Sequence, residues 1–204
     1  FGAQQQVDRL VAKEGLVMLP PFDHPDIVAG QGTLGLEIME QVPDAACVLV
    51  PLSGGGLAAG VAAAVKGVSP GTKVIGISMA GGAAMKASLD AGRPVQVEEL
   101  PTLADSLGGG IGLDNQLTFA MCRDLLDDVV LLAEDEIAAG IRHAYEQERE
   151  IVEGAGAVGI GALLAGKVKV SGPTVLILSG RNIDMSLHRR IVCGEAATAT
   201  ERAV

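Results

Sequence analysis

Three consecutive glycines lie where an apolar run ends and an alanine-rich run begins. The loop follows the apolar residues 47–50, precedes a run that extends to Lys66, and consists of Ser53, Gly54, Gly55, Gly56 and Leu57. We predict a strand, a glycine loop and a helix in that order. Glycines lack the Cβ atoms that keep a backbone away from a ligand, and the loop amides and the helix dipole attract an anion. The loop therefore predicts a phosphate site, with a tight turn that binds nothing as the alternative.

The loop differs from the common nucleotide-binding loops. No Lys-Ser or Lys-Thr pair follows its last glycine, which excludes the Walker motif, and it lacks the spaced glycines of the dinucleotide-binding fingerprint. A phosphate monoester that is bound without a metal fits this loop better than a nucleotide does.

Two other polar side chains occupy positions where chemistry is possible. Ser179 ends an apolar run and precedes Gly180, so we expect its hydroxyl at the carboxyl end of a parallel strand, where ligands bind in such folds. An ordinary turn serine is the alternative. Glu153 is the single acid between Val152 and the small residues 154–156. It is interpreted either as a site residue or as a helix cap.

Histidines and cysteines form no metal-binding or catalytic pattern. His24, His143 and His188 share no spacing with acids or cysteines, so we predict surface or local hydrogen-bonding roles for them. The three cysteines are widely spaced, which predicts free, buried, structural thiols in a reducing compartment: Cys47, Cys122 and Cys193.

Composition narrows the class of protein. The net charge of -10 and the 2% content of aromatic residues argue against nucleic acid and anionic membranes as partners. No apolar run approaches the roughly 20 residues that cross a bilayer, and no basic-then-apolar leader opens the sequence. With 49% hydrophobic residues, 28 glycines and no tryptophan, we expect an aliphatic α/β core in a soluble, cytoplasmic protein.

The hydrophobic periodicity predicts helices that alternate with short strands, and hence a parallel twisted sheet flanked by helices. Asp26 is predicted to cap the second helix, and the residues after Glu195 are predicted to be a frayed tail. The predicted helices are 4–13, 27–41, 57–66, 83–91, 116–126, 134–149 and 153–165, and the predicted strands are 16–19, 47–50, 74–78, 129–132 and 174–178.

Together, several segments resemble the fold-type II pyridoxal-phosphate enzymes, specifically the threonine dehydratase and serine racemase family. The matching segments, in order, are 27–33 with Glu37, 53–57, 125–128, 134–137, Glu153 with Gly156, and 178–182. The resemblance implies the large domain of the tryptophan synthase β-like fold. The variants at 21–25, 77–79 and 181–184 are similar to the dehydratase-like proteins of ectoine and hydroxyectoine breakdown.

The resemblance implies roles for individual residues in binding pyridoxal 5'-phosphate. Ser53 to Leu57 would bind the phosphate, with Ser53 standing where many relatives have a fourth glycine. Ser179 would hydrogen-bond the pyridine nitrogen, and Ser106, at a position where relatives commonly have glycine, would lie against the ring. Glu153 near the ring edge and Asn182 complete the implied contacts.

Other features of the family are missing from this sequence. Neither the lysine that forms the Schiff base, in a Ser-Phe-Lys-like motif, nor the Ser-Gly-Asn-His loop is present, so we predict no catalytic residue in this chain. Ser78 and Ala84 replace the acids of a divalent-cation site, which predicts no metal. The chain is therefore interpreted as a C-terminal portion: the end of the small domain and a linker at 1–25, the large domain at 26–195 and the tail at 196–204.

Several functions remain open on these grounds. The first is part of a homodimeric dehydratase that eliminates the β-hydroxyl of threonine, serine or a related amino acid. A racemase, or a lyase in ectoine breakdown, needs the same parts. A truncated, non-catalytic module that binds phosphate or a partner subunit is the alternative of another class, and an inert fragment that aggregates is a further one.

Overall fold

A computed structural model describes residues 2–195, in which helices cover both faces of a four-stranded sheet. A turn of 3-10 helix at Asp105–Leu107 and a π-helix at Ala144–Glu148 supplement the regular elements. The α-helices and strands, in chain order, are α1 (Gly2–Glu14), α2 (Pro25–Gln41), β1 (Cys47–Pro51), α3 (Gly56–Val68), β2 (Lys73–Met79), α4 (Ala84–Ala91), α5 (Thr118–Leu125), β3 (Asp128–Leu132), α6 (Glu134–His143), α7 (Gly154–Leu164), β4 (Thr174–Leu176) and α8 (Met185–Val192).

The sheet has the strand order β3-β2-β1-β4, and every neighbouring pair is parallel. The predicted parallel α/β sheet is therefore confirmed. All five residues of the central strand β1 are buried, as expected for a parallel strand with helices on both faces. Because the strands are parallel, their carboxyl ends share one edge of the sheet, and the glycine loop and the segment after β4 both emerge there.

Alternate residues of β1 face two separate hydrophobic cores. Val48 and Val50 pack with residues of α2, α3 and α5, whereas Leu49 packs with residues of α6, α7 and α8. The side chains are mostly aliphatic, as the composition predicts. The sheet thus holds α3, which follows the glycine loop, on one face and α7, which follows Glu153, on the other.

The prediction of a strand at 16–19 is wrong. These residues form no regular element, and the side chains of Val17 and Leu19 are 85% and 79% exposed. An apolar run becomes a strand only when another strand pairs with it, and this run has no partner in the described sheet. The capping prediction is also wrong, because α2 begins one residue before Asp26. His24 is the N-cap, and its Nδ1 accepts the N–H of Asp26 at 3.2 Å.

Two helices after residue 133 differ from prediction. The helix predicted to reach residue 149 changes to a π-helix after His143, and Arg149 terminates it with a φ of 62°. Helix α8 was not predicted, although Asp184 caps it by accepting the N–H groups of Ser186 and Leu187. The predicted tail at 196–204 lies outside the described residues.

His188 of α8 is buried, contrary to the prediction of a surface position. It is 3% exposed and packs edge to face against Tyr145 at 5.2 Å, and its Nε2 has no partner among the described atoms. Burial disfavours the charged imidazole and lowers the pKa of His188. The neutral ring therefore acts as part of the core.

The three cysteines are free thiols, as predicted, but only two of them are buried. Cys47 and Cys122 lie inside the protein, whereas Cys193 is exposed just after α8. The prediction of burial is therefore wrong for Cys193. This residue lies at the end of α8, a helix that was not predicted. None of the helices within residues 2–195 has the length and apolar character needed to span a bilayer.

Candidate functional site

The glycine loop connects the buried end of β1 to the first turn of α3. Gly55 is the N-cap of α3 and has a left-handed φ of 92°, which glycine adopts without the strain that a Cβ would cause. No side chain caps this helix. The first amides of a helix have no partner within the helix, so those of Gly56 and Leu57 remain available to an external acceptor. The loop therefore offers N–H groups and the positive end of a helix dipole at one place.

The glycines themselves are required by the protein side of the loop. A Cβ at Gly54 would collide with the ring of Phe22, and one at Gly56 would lie 3.0 Å from the Cα of Phe22. A Cβ at Gly55 would lie 2.8 Å from Cε of Met85 and 3.0 Å from Sγ of Cys122. The sequence prediction attributed the missing Cβ atoms to the approach of a ligand. The structure adds a second reason, which is close packing of the loop on its own protein.

Thr118, at the start of α5, forms a hydrogen bond with the backbone of this loop. It is fully buried, and its Oγ1 donates a hydrogen bond to the carbonyl oxygen of Gly54 at 2.7 Å. Asp23 in turn caps α5 by accepting the N–H groups of Gln116, Leu117 and Thr118 at 2.7 to 2.9 Å. Partial burial raises the pKa of Asp23, but these donors outweigh it, and the net pKa is lowered. The sequence interpretation assigned no role to Thr118 or Asp23.

Glu153 lies beside the segment that follows β4. Its N–H donates to the carbonyl oxygen of Gly180 at 3.1 Å, and a Cβ at Gly180 would collide with its carboxylate. The Ser106 hydroxyl donates to Glu153 Oε2 at 3.4 Å. Glu153 occupies the N-cap position of α7, but its side chain makes no capping hydrogen bond. Of the two sequence interpretations, capping by the side chain is thus wrong, and the structure joins the carboxylate to Ser106 instead.

Ser179 and Leu57 line one groove along the free side of β4, with a volume of about 520 Å³. The residues Val175 to Leu178 form one wall of this groove, and Leu34 of α2 lies in the other. The structure thus brings Ser179 next to the helix that follows the glycine loop. Asn182 is exposed, and no hydrogen bond in the described part of the chain joins it to the other predicted site residues.

Comparison with known proteins identifies the family to which this arrangement belongs. Residues 2–180 match the family of pyridoxal-phosphate dependent enzymes. The chain belongs to this family. A Sinorhizobium fredii protein provisionally named threonine dehydratase is 67% identical over 200 residues, which are 98% of the chain and 60% of that protein. The L-threonine ammonia-lyase of Thermotoga maritima is 44% identical over 185 residues, 90% of the chain and 45% of that protein.

A solved structure of maize serine racemase superimposes with a TM-score of 0.85 at 32% identity, over 94% of the chain and 60% of the racemase. The fold-type II resemblance is therefore confirmed. The chain spans 60% and 45% of the lengths of the two relatives named above, so it corresponds to part of each.

The glycine loop fits the phosphate group of the family's cofactor. A phosphate monoester carries several acceptor oxygens and no donor when ionised, and the uncapped first turn of α3 presents donors only. A polar side chain at any of the three glycine positions, 54–56, would compete for the same amides, and glycine has no side chain.

The positions of several lysines bear on the predicted absence of the Schiff-base lysine from this chain. Lys66 is in the last turn of α3, at the opposite end of the helix from the glycine loop. Three lysines form ion pairs: Lys66 with Asp127 at 2.7 Å, Lys86 with Asp90 at 2.6 Å and Lys167 with Glu136 at 2.6 Å. That no lysine of this chain forms the Schiff base stays a prediction, as does the absence of a metal. Ser78, which replaces one of the acids of the family's cation site, is buried, and its hydroxyl contacts the sulfur of Met79 at 3.3 Å.

Glu153 should make the stability of the protein depend on pH. Burial is the largest influence and raises the pKa of Glu153; the Ser106 hydrogen bond opposes it, and the charge of Asp105 adds to it. A raised folded-state pKa means that the folded protein binds the proton more tightly than the unfolded chain. The resulting stability is present below the ordinary glutamate pKa of 4.5 and is lost as pH rises through the folded pKa.

We therefore expect Glu153→Gln, which stays neutral, to gain stability relative to the parent as the pH rises above the ordinary glutamate pKa of 4.5. Urea unfolding at several pH values measures the difference. Ser106→Ala removes the group that opposes the shift, so it should enlarge the loss that the parent shows. Parallel stability curves for the parent and Glu153→Gln across this range would contradict the assignment.

Proposed function

We propose that this chain supplies the cofactor-phosphate site of a dehydratase, or ammonia-lyase, that converts threonine or serine to a 2-oxo acid and ammonia. The observation that carries the proposal is the uncapped first turn of α3, at the sheet edge where Ser179 also emerges. Family membership identifies the phosphate compound as pyridoxal 5'-phosphate, and the names of the two relatives support the dehydratase reaction.

In this proposal each residue has a limited task. The amides of the loop, Ser53 to Leu57, hold the phosphate by direct hydrogen bonds and the helix dipole. The hydroxyl of Ser179 faces the pyridine nitrogen, while Ser106, Glu153 and Asn182 contact the rest of the ring system. When bound, pyridoxal phosphate withdraws electrons from the α-carbon of an amino acid, so that a β-hydroxyl can leave. A serine hydroxyl, unlike a carboxylate, does not keep the ring nitrogen protonated.

Glu153 supplies a titratable group beside this site. Its raised pKa lets the carboxyl hold a proton at a higher pH than an exposed glutamate does, and the Ser106 hydroxyl is within 3.4 Å of it. Glu153 can therefore keep or exchange a proton near the ring edge. It supplies no base at the α-carbon, and that step belongs to a lysine that we expect outside this chain.

A racemase is the second candidate, since the maize serine racemase structure matches with a TM-score of 0.85. Both reactions need the same phosphate and ring contacts. Incubation of the complete protein with L-serine separates them, because a dehydratase yields pyruvate and a racemase yields D-serine.

A cytoplasmic location and a homodimer complete the proposal, with domains divided at residues 25 and 195.

The phosphate assignment is tested by calorimetric titration of the chain with pyridoxal 5'-phosphate, pyridoxal and inorganic phosphate. We expect the cofactor to bind, inorganic phosphate to compete with it, and pyridoxal to bind at least tenfold more weakly, since it lacks the anion. Equal affinities for the cofactor and for pyridoxal would mean that the loop does not recognise phosphate. Borohydride reduction followed by peptide mapping should show no stoichiometric modification of a lysine in this chain.

A further inference from the structure

One donor and one acceptor fix the direction of the Thr118 hydroxyl. Asn115 Nδ2 donates to Thr118 Oγ1 at 2.8 Å, and Asn115 Oδ1 accepts the N–H of Phe119 at 2.9 Å, which orients the amide. A hydroxyl has one proton, and the carbonyl of Gly54 can only accept. The Thr118 side chain also interacts with the Asp23 carboxylate and helps to lower the pKa of Asp23. With a lone pair occupied by Asn115, the Thr118 hydroxyl donates to the carbonyl of Gly54, 2.7 Å away.

This hydrogen bond sets the orientation of the next amide in the loop. None of the described peptide bonds is cis, so the carbonyl of Gly54 and the N–H of Gly55 point in opposite directions. Because the carbonyl faces the buried hydroxyl of Thr118, the N–H of Gly55 faces away from α5. The carbonyl of Gly55 accepts the N–H of Ala59 at 2.7 Å, so the N–H of Gly56 likewise points away from the body of α3.

The position of Thr118 is itself held from a distant part of the sequence. Asp23 accepts three consecutive N–H groups at the start of α5, including that of Thr118. Its neighbour Phe22 packs against Gly54 and Gly56. The segment before α2 therefore contacts the loop directly through Phe22 and indirectly through Asp23 and Thr118.

We propose that Thr118 is a positioning residue for binding of the cofactor phosphate: its hydroxyl, oriented by Asn115 and anchored by Asp23, turns the Gly54 peptide so that the Gly55 amide donates to the phosphate. The inference rests on the proposed function, because the phosphate belongs to pyridoxal 5'-phosphate. Thr118 acts through the backbone of the loop and does not touch the ligand.

The test compares Thr118→Val, which keeps the shape and removes the hydroxyl, with Thr118→Ser, which keeps the hydroxyl. Affinities for pyridoxal 5'-phosphate and for pyridoxal are measured by titration of the chain. We expect the valine variant to bind the phosphate form about tenfold more weakly than the parent, with pyridoxal binding unchanged. The serine variant should stay within about threefold of the parent for both ligands.

A purely structural role predicts a different pattern. Equal losses for the cofactor and for pyridoxal, with no rescue by serine, would overturn the positioning role. Unchanged cofactor affinity in the valine variant would overturn it as well while leaving the proposed function intact. If the parent itself fails to prefer the cofactor over pyridoxal, both proposals fail together. Thr118→Ala, with less bulk at the buried position, replaces the valine variant if unfolding without ligand shows that valine prevents folding.

Discussion

Replacement of Gly55 by valine is expected to abolish stabilisation of the protein by pyridoxal phosphate. Gly55 has a φ of 92°, a conformation that costs a residue with a Cβ about 1–2 kcal/mol. Its Cβ would also lie 2.8 Å from Met85 and 3.0 Å from Cys122, and overpacking of this kind typically costs about 1–3 kcal/mol. The loop must therefore move, and the amides that it presents move with it.

Two measurements follow from this substitution. Urea unfolding should show a loss of about 2–5 kcal/mol, and the melting temperature should no longer rise when pyridoxal phosphate is added. Gly67→Ala is the matched control, since Gly67 lies in the same helix and a Cβ there meets nothing within 4 Å. It should gain about 0.5–1 kcal/mol and keep the ligand response. A ligand response that persists in Gly55→Val would place the phosphate elsewhere.

Gly60→Val is expected to destabilise the protein by more than about 3 kcal/mol, because the α2–α3 contact is backbone against backbone. A Cβ at Gly60 would collide with the carbonyl of Val28 and lie 2.7 Å from the N of Gly32. A Cβ at Gly35 would lie 2.7 Å from Cβ of Ala64, so the crossing is equally close one turn further on. The helices would have to separate, and buried aliphatic surface would be lost.

Chemical denaturation followed by circular dichroism measures this effect. Gly30→Ala in α2 is the control, since a Cβ at Gly30 meets nothing within 4 Å. It should be neutral or should stabilise the protein by about 0.5–1 kcal/mol. A Gly60→Val variant as stable as this control would show that the two helices tolerate a wider crossing than the structure describes.

Elements with strong local patterns could be predicted from the sequence, whereas contacts between distant residues could not. The strands β1, β2 and β3 were found because their apolar runs are bounded by turn residues and separated by helical spacing. The run at 16–19 is also apolar, but a strand needs a neighbour, and pairing is a property of the whole sheet. Helix α8 was missed, although Asp184 as N-cap and Leu187, His188 and Ile191 at helical spacing were signals for it.

The same division applies to the candidate site. The glycine loop and Ser179 were recognisable because each follows an apolar run directly. The roles of Phe22, Asp23 and Thr118 depend on contacts between residues that are distant in sequence. Phe22 contacts Gly54 across more than 30 residues, and Asp23 contacts Thr118 across more than 90. No local sequence pattern contains such contacts. Gly30, Gly32 and Gly35 all lower the intrinsic helix propensity of α2, but Gly32 and Gly35 lie close to α3, whereas a Cβ at Gly30 would meet nothing within 4 Å.

The strand order has a consequence for synthesis on the ribosome. β1 pairs with β2 on one side and with β4 on the other, and β4 begins about 120 residues after β1 ends. At about 5–20 residues per second, the nascent chain carries one unpaired edge of β1 for roughly 6 to 24 seconds. An apolar strand with free N–H and carbonyl groups pairs readily with another chain. During this interval the emerging protein is therefore open to pairing with other chains.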